Sequence, residues 1–96
     1  MQVVFSQAAE NDLTEIAVYI ALDNPERAFS FTAELAARAN SLIDMPLRGI
    51  ERKTLRRGLR ALLHGAYGIY YEIDGETIKV LRILHGARRV RRKDFA

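Results

Sequence analysis

The residues of this chain that could do chemistry gather where an apolar segment, Leu81–Leu84, ends. His85 follows that segment directly, and Arg88 lies a short distance further along. An imidazole can move a proton near neutral pH, and guanidinium groups can hold a phosphate while it reacts. If Arg60 and Arg82 approach His85 and Arg88 in the folded chain, the set could cleave a phosphodiester bond. Alternatively, His85 is an ordinary turn residue whose ring bonds to the backbone.

The same basic segment could bind a target without catalysing a reaction. Its positive charge continues into an arginine-rich tail, and guanidinium groups there can meet phosphates or an acidic protein surface. The predicted target-binding residues are Arg82, His85, Arg88, Arg89, Arg91 and Arg92. For Arg82 the alternative is a structural role, in which the aliphatic part of its side chain packs on a tyrosine ring. The end of the tail, Arg91–Lys93, could equally be disordered.

The charge of the chain is divided unevenly between its halves. Residues 1–47 carry seven acidic and two basic side chains, whereas residues 48–96 carry thirteen basic and five acidic ones. This asymmetry favours an anionic partner, either nucleic acid or an acidic protein, although a solvated basic surface would give the same count. Because the chain has no cysteine and only two histidines, we expect no disulfide, no metal site and no cofactor.

The length of 96 residues predicts one domain that spans residues 1–96. No segment approaches the roughly 20 apolar residues that a membrane helix needs. The first residues, Met1–Ser6, resemble no signal peptide. We therefore expect a cytoplasmic protein that does not contact a membrane.

Apolar periodicity predicts an antiparallel helical hairpin in the first half of the chain. Ser6 and Asn24 stand where N-caps belong, and Pro25 suits a first helical turn. A short predicted strand, Met1–Phe5, precedes the helices, and Met45-Pro46 ends them. The apolar stripes at helical spacing are Leu13, Ile16, Ala17 and Ile20, followed by Ala28, Phe31, Leu35, Ala39 and Leu42.

Three antiparallel strands are predicted after a basic connector, at residues 59–63, 67–73 and 77–84. Asp74-Gly75 is a strong two-residue hairpin signal, and such a turn pairs Tyr71 with Ile78 and Tyr67 with Arg82. We therefore expect an α+β fold with an N-terminal strand, a helical hairpin and a three-stranded antiparallel sheet segment.

This register divides the sheet into two faces. Leu84 falls on the apolar face that covers the helices, with Tyr67, Ile69, Tyr71, Ile73, Ile78 and Val80. The other face mixes polar and apolar side chains, and an exposed face of that kind on a small protein predicts a partner. The predicted partner-binding residues on this mixed face are Tyr70, Lys79, Leu81 and Ile83.

Several short motifs occur along the chain in a specific order. They are Ala9-x-x-Asp12-Leu13-x-x-Ile16-x-x-Tyr19, Asn24-Pro25-x-x-Ala28, Leu42-x-x-x-Pro46-x-x-Gly49, Gly58-Leu59-Arg60, Tyr67-Gly68-Ile69-Tyr70-Tyr71 and Leu81-Arg82-Ile83-Leu84-His85-Gly86-Ala87-Arg88. In this order and at this spacing the chain resembles the ParE branch of the ParE/RelE superfamily, the toxins of type II toxin–antitoxin and plasmid stabilisation systems.

The resemblance implies a toxin that inhibits DNA gyrase and is neutralised by a ParD-like antitoxin. Such antitoxins carry a ribbon-helix-helix DNA-binding dimer, so the complex would contact DNA indirectly. The mixed face, with Tyr70, Lys79, Leu81 and Ile83, is then the predicted antitoxin site. We also expect truncation after Gly86 to abolish toxicity while antitoxin binding persists.

RelE-like relatives instead cut mRNA on the ribosome, and this needs proton-transfer groups and cations. The tail Lys93-Asp94-Phe95-Ala96 has an aromatic ring but no hydroxyl, so the RelE set looks incomplete and we expect no catalytic residues. If the chain is a ribonuclease, the catalytic set would be His85, Arg60, Arg82 and Arg88. A degenerate toxin that serves only as antitoxin partner and co-repressor is a further alternative.

Overall fold

The computed structural model describes all residues from Met1 to Ala96 as an α+β domain. A helical hairpin lies on one face of a five-stranded sheet. The elements are β1 (Gln2–Phe5), α1 (Gln7–Ala21), α2 (Pro25–Asn40), β2 (Ile50–Glu51), β3 (Arg60–His64), β4 (Tyr67–Asp74) and β5 (Thr77–His85), with short 3₁₀ turns at Ser41–Ile43 and Arg92–Phe95. Neither helix is both long and apolar enough to cross a bilayer.

The predicted helix starts are confirmed. The Ser6 hydroxyl accepts a hydrogen bond from the Ala9 amide at 3.0 Å, and the Asn24 side chain accepts one from the Arg27 amide at 3.1 Å. Pro25 opens α2, where its missing N–H costs nothing. These local signals therefore set both ends of the hairpin.

The predicted three-stranded sheet is wrong in strand number, because the sheet has five strands in the order β1-β5-β4-β3-β2. β1 joins as a parallel neighbour of β5, with Val3 beside Ile78 and Phe5 beside Val80. The two-residue strand β2 forms within the basic connector and pairs with β3. Both additions lie at the edges of the sheet, where pairing depends on distant parts of the chain.

The predicted register of the β4–β5 hairpin is also wrong. Asp74 pairs with Thr77, so the turn residues are Gly75 and Glu76. Gly75 has a φ of +58°, which suits the first central position of a type II′ turn. Asp74 instead belongs to the strand, and its carboxylate lies 2.9 Å from the Lys79 ammonium.

A β-bulge in β5 reverses the predicted faces of its second half. Tyr71 pairs with Val80 and Tyr70 pairs with Arg82, so Leu81 has no partner in β4. The Ser6 hydroxyl, which also caps α1, donates to the Leu81 carbonyl at 2.8 Å. The start of the first helix thus stabilises the bulge.

After the bulge, Ile83 faces the helices and Leu84 faces the other way, opposite to the predicted arrangement. Ile83 is 2% exposed in the main core between helices and sheet. The buried members of that core are Ala9, Ile16, Leu35, Ala39, Leu42, Leu62, Ile69, Tyr71, Ile78, Val80 and Ile83. The extra residue in β5 accounts for the change, since one inserted residue moves all later side chains to the opposite face.

A second, smaller core covers the mixed face of the sheet. Phe95 from the tail is buried there against Tyr70, with ring centroids 5.2 Å apart. The other buried members are Leu59, Ala61 and Leu84. The mixed face therefore receives much of its cover from the chain itself, and the tail is an ordered segment rather than a disordered one.

The Pro46-x-x-Gly49 motif is explained by one buried tyrosine. The Tyr71 hydroxyl donates to the Pro46 carbonyl at 2.6 Å and accepts from the Gly49 amide at 2.9 Å. A Cβ atom on Gly49 would lie 2.7 Å from the tyrosine ring and hydroxyl, so only glycine fits this approach. Burial raises the pKa of Tyr71 above its ordinary value, and its phenol is held in the neutral form.

Candidate functional site

The predicted target-binding residue Arg82 is held by a carboxylate on α1. Its Nε and Nη2 atoms donate to the Asp12 oxygens at 2.8 and 2.9 Å, in a two-pronged ion pair. The Asp12 side chain is 7% exposed and that of Arg82 is 18% exposed. This hydrogen bonding raises the pKa of Arg82 above its ordinary value. Arg82 is therefore committed to internal contacts and offers little of its charge to a partner.

Asp12 also completes the edge of the sheet. β1 ends at Phe5, so no strand covers β5 beyond Val80. The Ile83 amide, which has no strand beside it at this edge, donates to Asp12 Oδ2 at 2.9 Å in a buried hydrogen bond. One carboxylate thus replaces a neighbouring strand and also neutralises Arg82.

Asp94 joins the tail to the end of β5. Its carboxylate accepts from Arg88 at 2.7 Å and from the Arg91 amide at 2.8 Å, and its carbonyl accepts from Arg82 at 3.1 Å. The Arg91 amide, with the charges of Arg88 and Arg82, lowers the pKa of Asp94 below its ordinary value. The tail is therefore fixed beside the strand end by an ionised carboxylate.

The four residues of the predicted ribonuclease set do not come together. Arg60 lies beside Tyr71, whereas His85 lies beside Tyr67, about 13 Å away along the strand at the usual rise per residue. Arg60 instead donates to the carbonyls of Leu47 and Gly49 at 3.1 and 2.8 Å. Only His85 and Arg88 of the predicted set share a cavity.

His85 does lie in a cleft, on the helical side of the sheet. Its Nδ1 accepts from the Ala87 amide at 3.0 Å, which leaves Nε2 without a partner in the chain. Its ring meets Tyr67 edge-on, with centroids 5.1 Å apart. The backbone contact matches the structural interpretation of His85, while the free nitrogen keeps a functional role available.

We call the space around His85 the aromatic cleft. It consists of two adjoining cavities of about 210 and 670 Å³ that share Tyr19, Tyr67 and His85. The inner cavity is further lined by Asp12, Glu15, Ile16, Ile83, Leu84 and Arg88, and the outer one by Ile20, Arg27 and Phe31. Burial raises the pKa of Tyr67, and the neighbouring Tyr19 adds to the effect.

The basic connector and the basic tail meet on the opposite face of the sheet. Arg56 donates to the Phe95 carbonyl at 2.7 Å, and Arg92 donates to the Thr54 carbonyl at 3.0 Å. We call the resulting surface the basic face; it consists of Lys53, Arg56, Arg57, Arg91, Arg92 and Lys93, all exposed. Of the predicted target-binding residues, Arg91 and Arg92 belong to it, while the exposed Arg89 lies in the preceding turn.

The residues predicted to bind an antitoxin are mostly unavailable. Tyr70 is 6% exposed beneath Phe95, and Ile83 lies in the main core because of the bulge. Leu81 is half-buried beside the second core. Lys79 is exposed in part and pairs with Asp74, whose hydrogen bond raises the Lys79 pKa.

Exposed apolar side chains also lie on the outer side of the helical hairpin. Phe29 is 82% exposed and Val18 is 60% exposed. Between the helices run two cavities of about 290 and 460 Å³ that share Ala17, Phe29 and Thr32. We call this surface the hairpin groove; its other lining residues are Leu13, Thr14, Val18, Ala21, Pro25, Ala28 and Ala33.

Some of these residues could have been found from the sequence. Asp12 interrupts the helical stripe of Ala9 and Ile16, and a carboxylate at a core position predicts a buried ion pair. Glu15 and Tyr19 follow at one-turn spacing on the same helix. Phe29 lies off the inner stripe of α2 and signals an apolar outer surface. No local signal shows that the connector and the tail meet.

Comparison with known proteins agrees with this architecture. The protein-family model for the ParE toxin of the type II toxin–antitoxin system parDE matches residues 3–90 of this chain. This chain belongs to the ParE toxin family. It is thus a ParE-type toxin of a type II toxin–antitoxin system, as the motifs predicted. No curated protein matches it significantly.

Two solved structures show the same fold. A chain of the chromosomal ParDE toxin–antitoxin system from P. aeruginosa is 24% identical with a TM-score of 0.74, over 88% of this chain and 95% of that one. A chain of the RelBE2 toxin–antitoxin complex from Mycobacterium tuberculosis is 28% identical with a TM-score of 0.63, over the same shares of 88% and 95%.

Proposed function

We propose that this ParE-type toxin inhibits DNA gyrase by contact, without catalysis, and that a ParD-like antitoxin neutralises it in the cytoplasm. The observation that carries the proposal is the basic face, where two separate basic segments form one ordered surface. Phe95 and the Arg92–Thr54 hydrogen bond hold the tail against the connector. An ordered basic surface can bind an acidic protein or the phosphates of enzyme-bound DNA, and it needs no proton-transfer group.

Two acids near the basic face are paired within the chain, and only one of them offsets a member of that face. Asp94 pairs with Arg88, which lies outside the face, whereas Glu72 lies 3.5 Å from Arg56. Lys53 and Arg57 make no ion pair within the chain and point their charge outward. We therefore propose that the target contacts the basic face, including Arg91 and Arg92, together with the neighbouring Arg89, and does not contact Arg82.

The experiment measures gyrase-mediated DNA cleavage with purified components. The triple variant Lys53→Glu, Arg57→Glu and Arg91→Glu changes exposed side chains, and we expect it to lose at least tenfold in the toxin-dependent accumulation of cleaved DNA. The control is the single charge reversal Arg48→Glu, at an exposed residue outside the basic face, which should act like the parent chain. If the parent chain traps no cleaved DNA, or if both variants behave alike, the proposal is wrong.

The alternative is a ribosome-dependent mRNA endonuclease, which the fold likeness to the RelBE2 chain favours. His85 and Arg88 would then act from the aromatic cleft, with no part for Arg60. Cleavage of mRNA in a translation extract, abolished by His85→Gln while gyrase is unaffected, would establish this alternative. A degenerate toxin would give neither result and would not arrest growth.

The proposed antitoxin site is the hairpin groove rather than the predicted mixed face. Phe29 and Val18 expose apolar area at the rim of a continuous cavity, whereas Tyr70 and Ile83 are buried. A segment of the antitoxin with apolar side chains would bury this area, which is how a helix or an extended chain binds an apolar groove. The groove and the basic face belong to different layers of the domain, so both can be tested separately.

A further inference from the structure

We propose that the aromatic cleft binds an unpaired nucleotide, with its base stacked on Tyr19 and its phosphate held by His85 and Arg88. This site is distinct from the basic face and from the hairpin groove, and it does not depend on the gyrase proposal. The ligand class follows from the combination of free aromatic surface and cationic donors within one cavity.

The aromatic part of the argument rests on a row of rings. Phe31 and Tyr67 have centroids 5.5 Å apart, and Tyr67 and His85 have centroids 5.1 Å apart. Tyr19 borders the same space and is 72% exposed, so a face of its ring is free. A flat heteroaromatic ring can stack there, and every nucleobase has such a face.

The size of the cleft suits one nucleotide. The outer cavity of about 670 Å³ falls within the range of about 300–1,000 Å³ that is typical of small-molecule sites. Arg27 lies at its rim, 5.0 Å from the centroid of Phe31, and pairs with Glu34. The base would occupy this outer cavity, where the aromatic rings and the Arg27 guanidinium provide the walls.

The phosphate would lie in the inner cavity. His85 Nε2 is free because the backbone contact uses only Nδ1, and it can donate to an anion. Arg88 gives one nitrogen to Asp94, and its guanidinium has further N–H groups for a second acceptor. The acids near these groups are Asp94, which pairs with Arg88, Asp12, which pairs with Arg82, and Glu15, which has no ion pair.

Glu15 makes the proposal unusually easy to test. Its exposed carboxylate lines the inner cavity and opposes an anion there. Replacement by the isosteric amide should therefore strengthen nucleotide binding, whereas it should leave a ligand without a phosphate unaffected. A stabilising role for Glu15 predicts no such gain.

The experiment measures binding of the full chain to fluorescent oligonucleotides at fixed moderate salt. The probes are single-stranded DNA, single-stranded RNA, duplex DNA of the same sequence and a 5′-mononucleotide. We expect both single strands or one of them to bind at least tenfold more tightly than the duplex. The preference between DNA and RNA identifies the source, and binding of the mononucleotide alone identifies a free metabolite as the ligand.

The variants separate stacking from charge. Tyr19→Ala should weaken binding about tenfold, which lies in the low part of the range of losses seen when the aromatic partner of one stacked base is replaced by alanine. Tyr19→Phe should retain binding. Arg88→Gln should weaken binding, Arg48→Gln should not, and Glu15→Gln should strengthen it. The proposal is overturned if the duplex binds as well as the single strands, if no probe binds, or if the two arginine variants lose equally. Tyr19 is exposed, so its variants test binding rather than folding.

Discussion

At the scale of single residues, Asp12 joins the first helix to the last strand of the sheet. It accepts three hydrogen bonds, two from Arg82 and one from the Ile83 amide. It thereby joins α1 to the only part of β5 that lacks a neighbouring strand on that side. A buried ion pair such as Asp12–Arg82 adds little net stability to the fold, but removal of one partner leaves the other charge poorly compensated.

We expect Asp12→Asn to lower the free energy of unfolding by about 3 kcal/mol, because the covered Arg82 guanidinium then keeps only the Asp94 carboxylate, 3.9 Å away. Urea unfolding measures the change. Hydrogen exchange supplies a second readout, since the Ile83 amide should lose protection more than the amides of α2. The double variant with Arg82→Gln should lose less than the sum of the single variants. A loss under about 1 kcal/mol would contradict this view of Asp12.

At the scale of elements, the tail is part of the sheet's second layer. Phe95 is buried against Tyr70, and Asp94 holds Arg88 beside it. The truncation after Gly86 that the sequence suggested would therefore expose the second core and remove both Arg88 and Asp94. Loss of toxicity in that truncated chain would report damage to the fold as well as loss of the basic face.

The pH dependence of the tail follows from Asp94, whose folded-state pKa lies below the ordinary value of 3.8. A depressed pKa means that the ionised form is stabilised by folding, so this contribution is complete above that ordinary value. It is lost as the pH falls from there through the folded-state pKa. We expect Asp94→Asn to cost about 1 kcal/mol at pH 7 and nothing at the acid end. Urea unfolding of the parent chain and of Asp94→Asn across this pH range measures the difference between their free energies of unfolding. A difference that does not change with pH would refute the explanation.

Elements with local signals were predictable, and those set by distant partners were not. The caps at Ser6 and Asn24 need only their own helix turns, and both predictions are confirmed. The bulge at Leu81 needs a hydroxyl from the far end of the chain, so no local pattern revealed it. The exchange of Ile83 and Leu84 between faces follows from that single inserted residue. The meeting of connector and tail is equally non-local.

At the scale of the whole molecule, three surfaces lie on different layers. The hairpin groove is on the outer side of the helices, the aromatic cleft lies between helix and strand ends, and the basic face covers the far side of the sheet. The surfaces proposed for the antitoxin, the nucleotide and gyrase are therefore separate within this domain. Whether the antitoxin blocks the basic face directly or acts from the groove is then a measurable property.

The groove can be tested with Val18→Asp and Phe29→Asp, which place charge on its exposed apolar rim. We expect at least a tenfold loss of antitoxin affinity, because a buried charge would replace apolar contact. Titration calorimetry with the antitoxin measures it, and trapping of cleaved DNA on gyrase should persist. Leu47→Asp is the matched control, an exposed apolar residue outside the groove. Equal weakening by the control would show that the groove is not the site.

The parallel pairing of β1 with β5 has a consequence for synthesis. The first strand of the chain stays without its partner until the last strand has been made, and such long-range pairing is slow to form. The tail that completes the second core is made later still. A growing chain on the ribosome therefore cannot finish its sheet until β5 has been made.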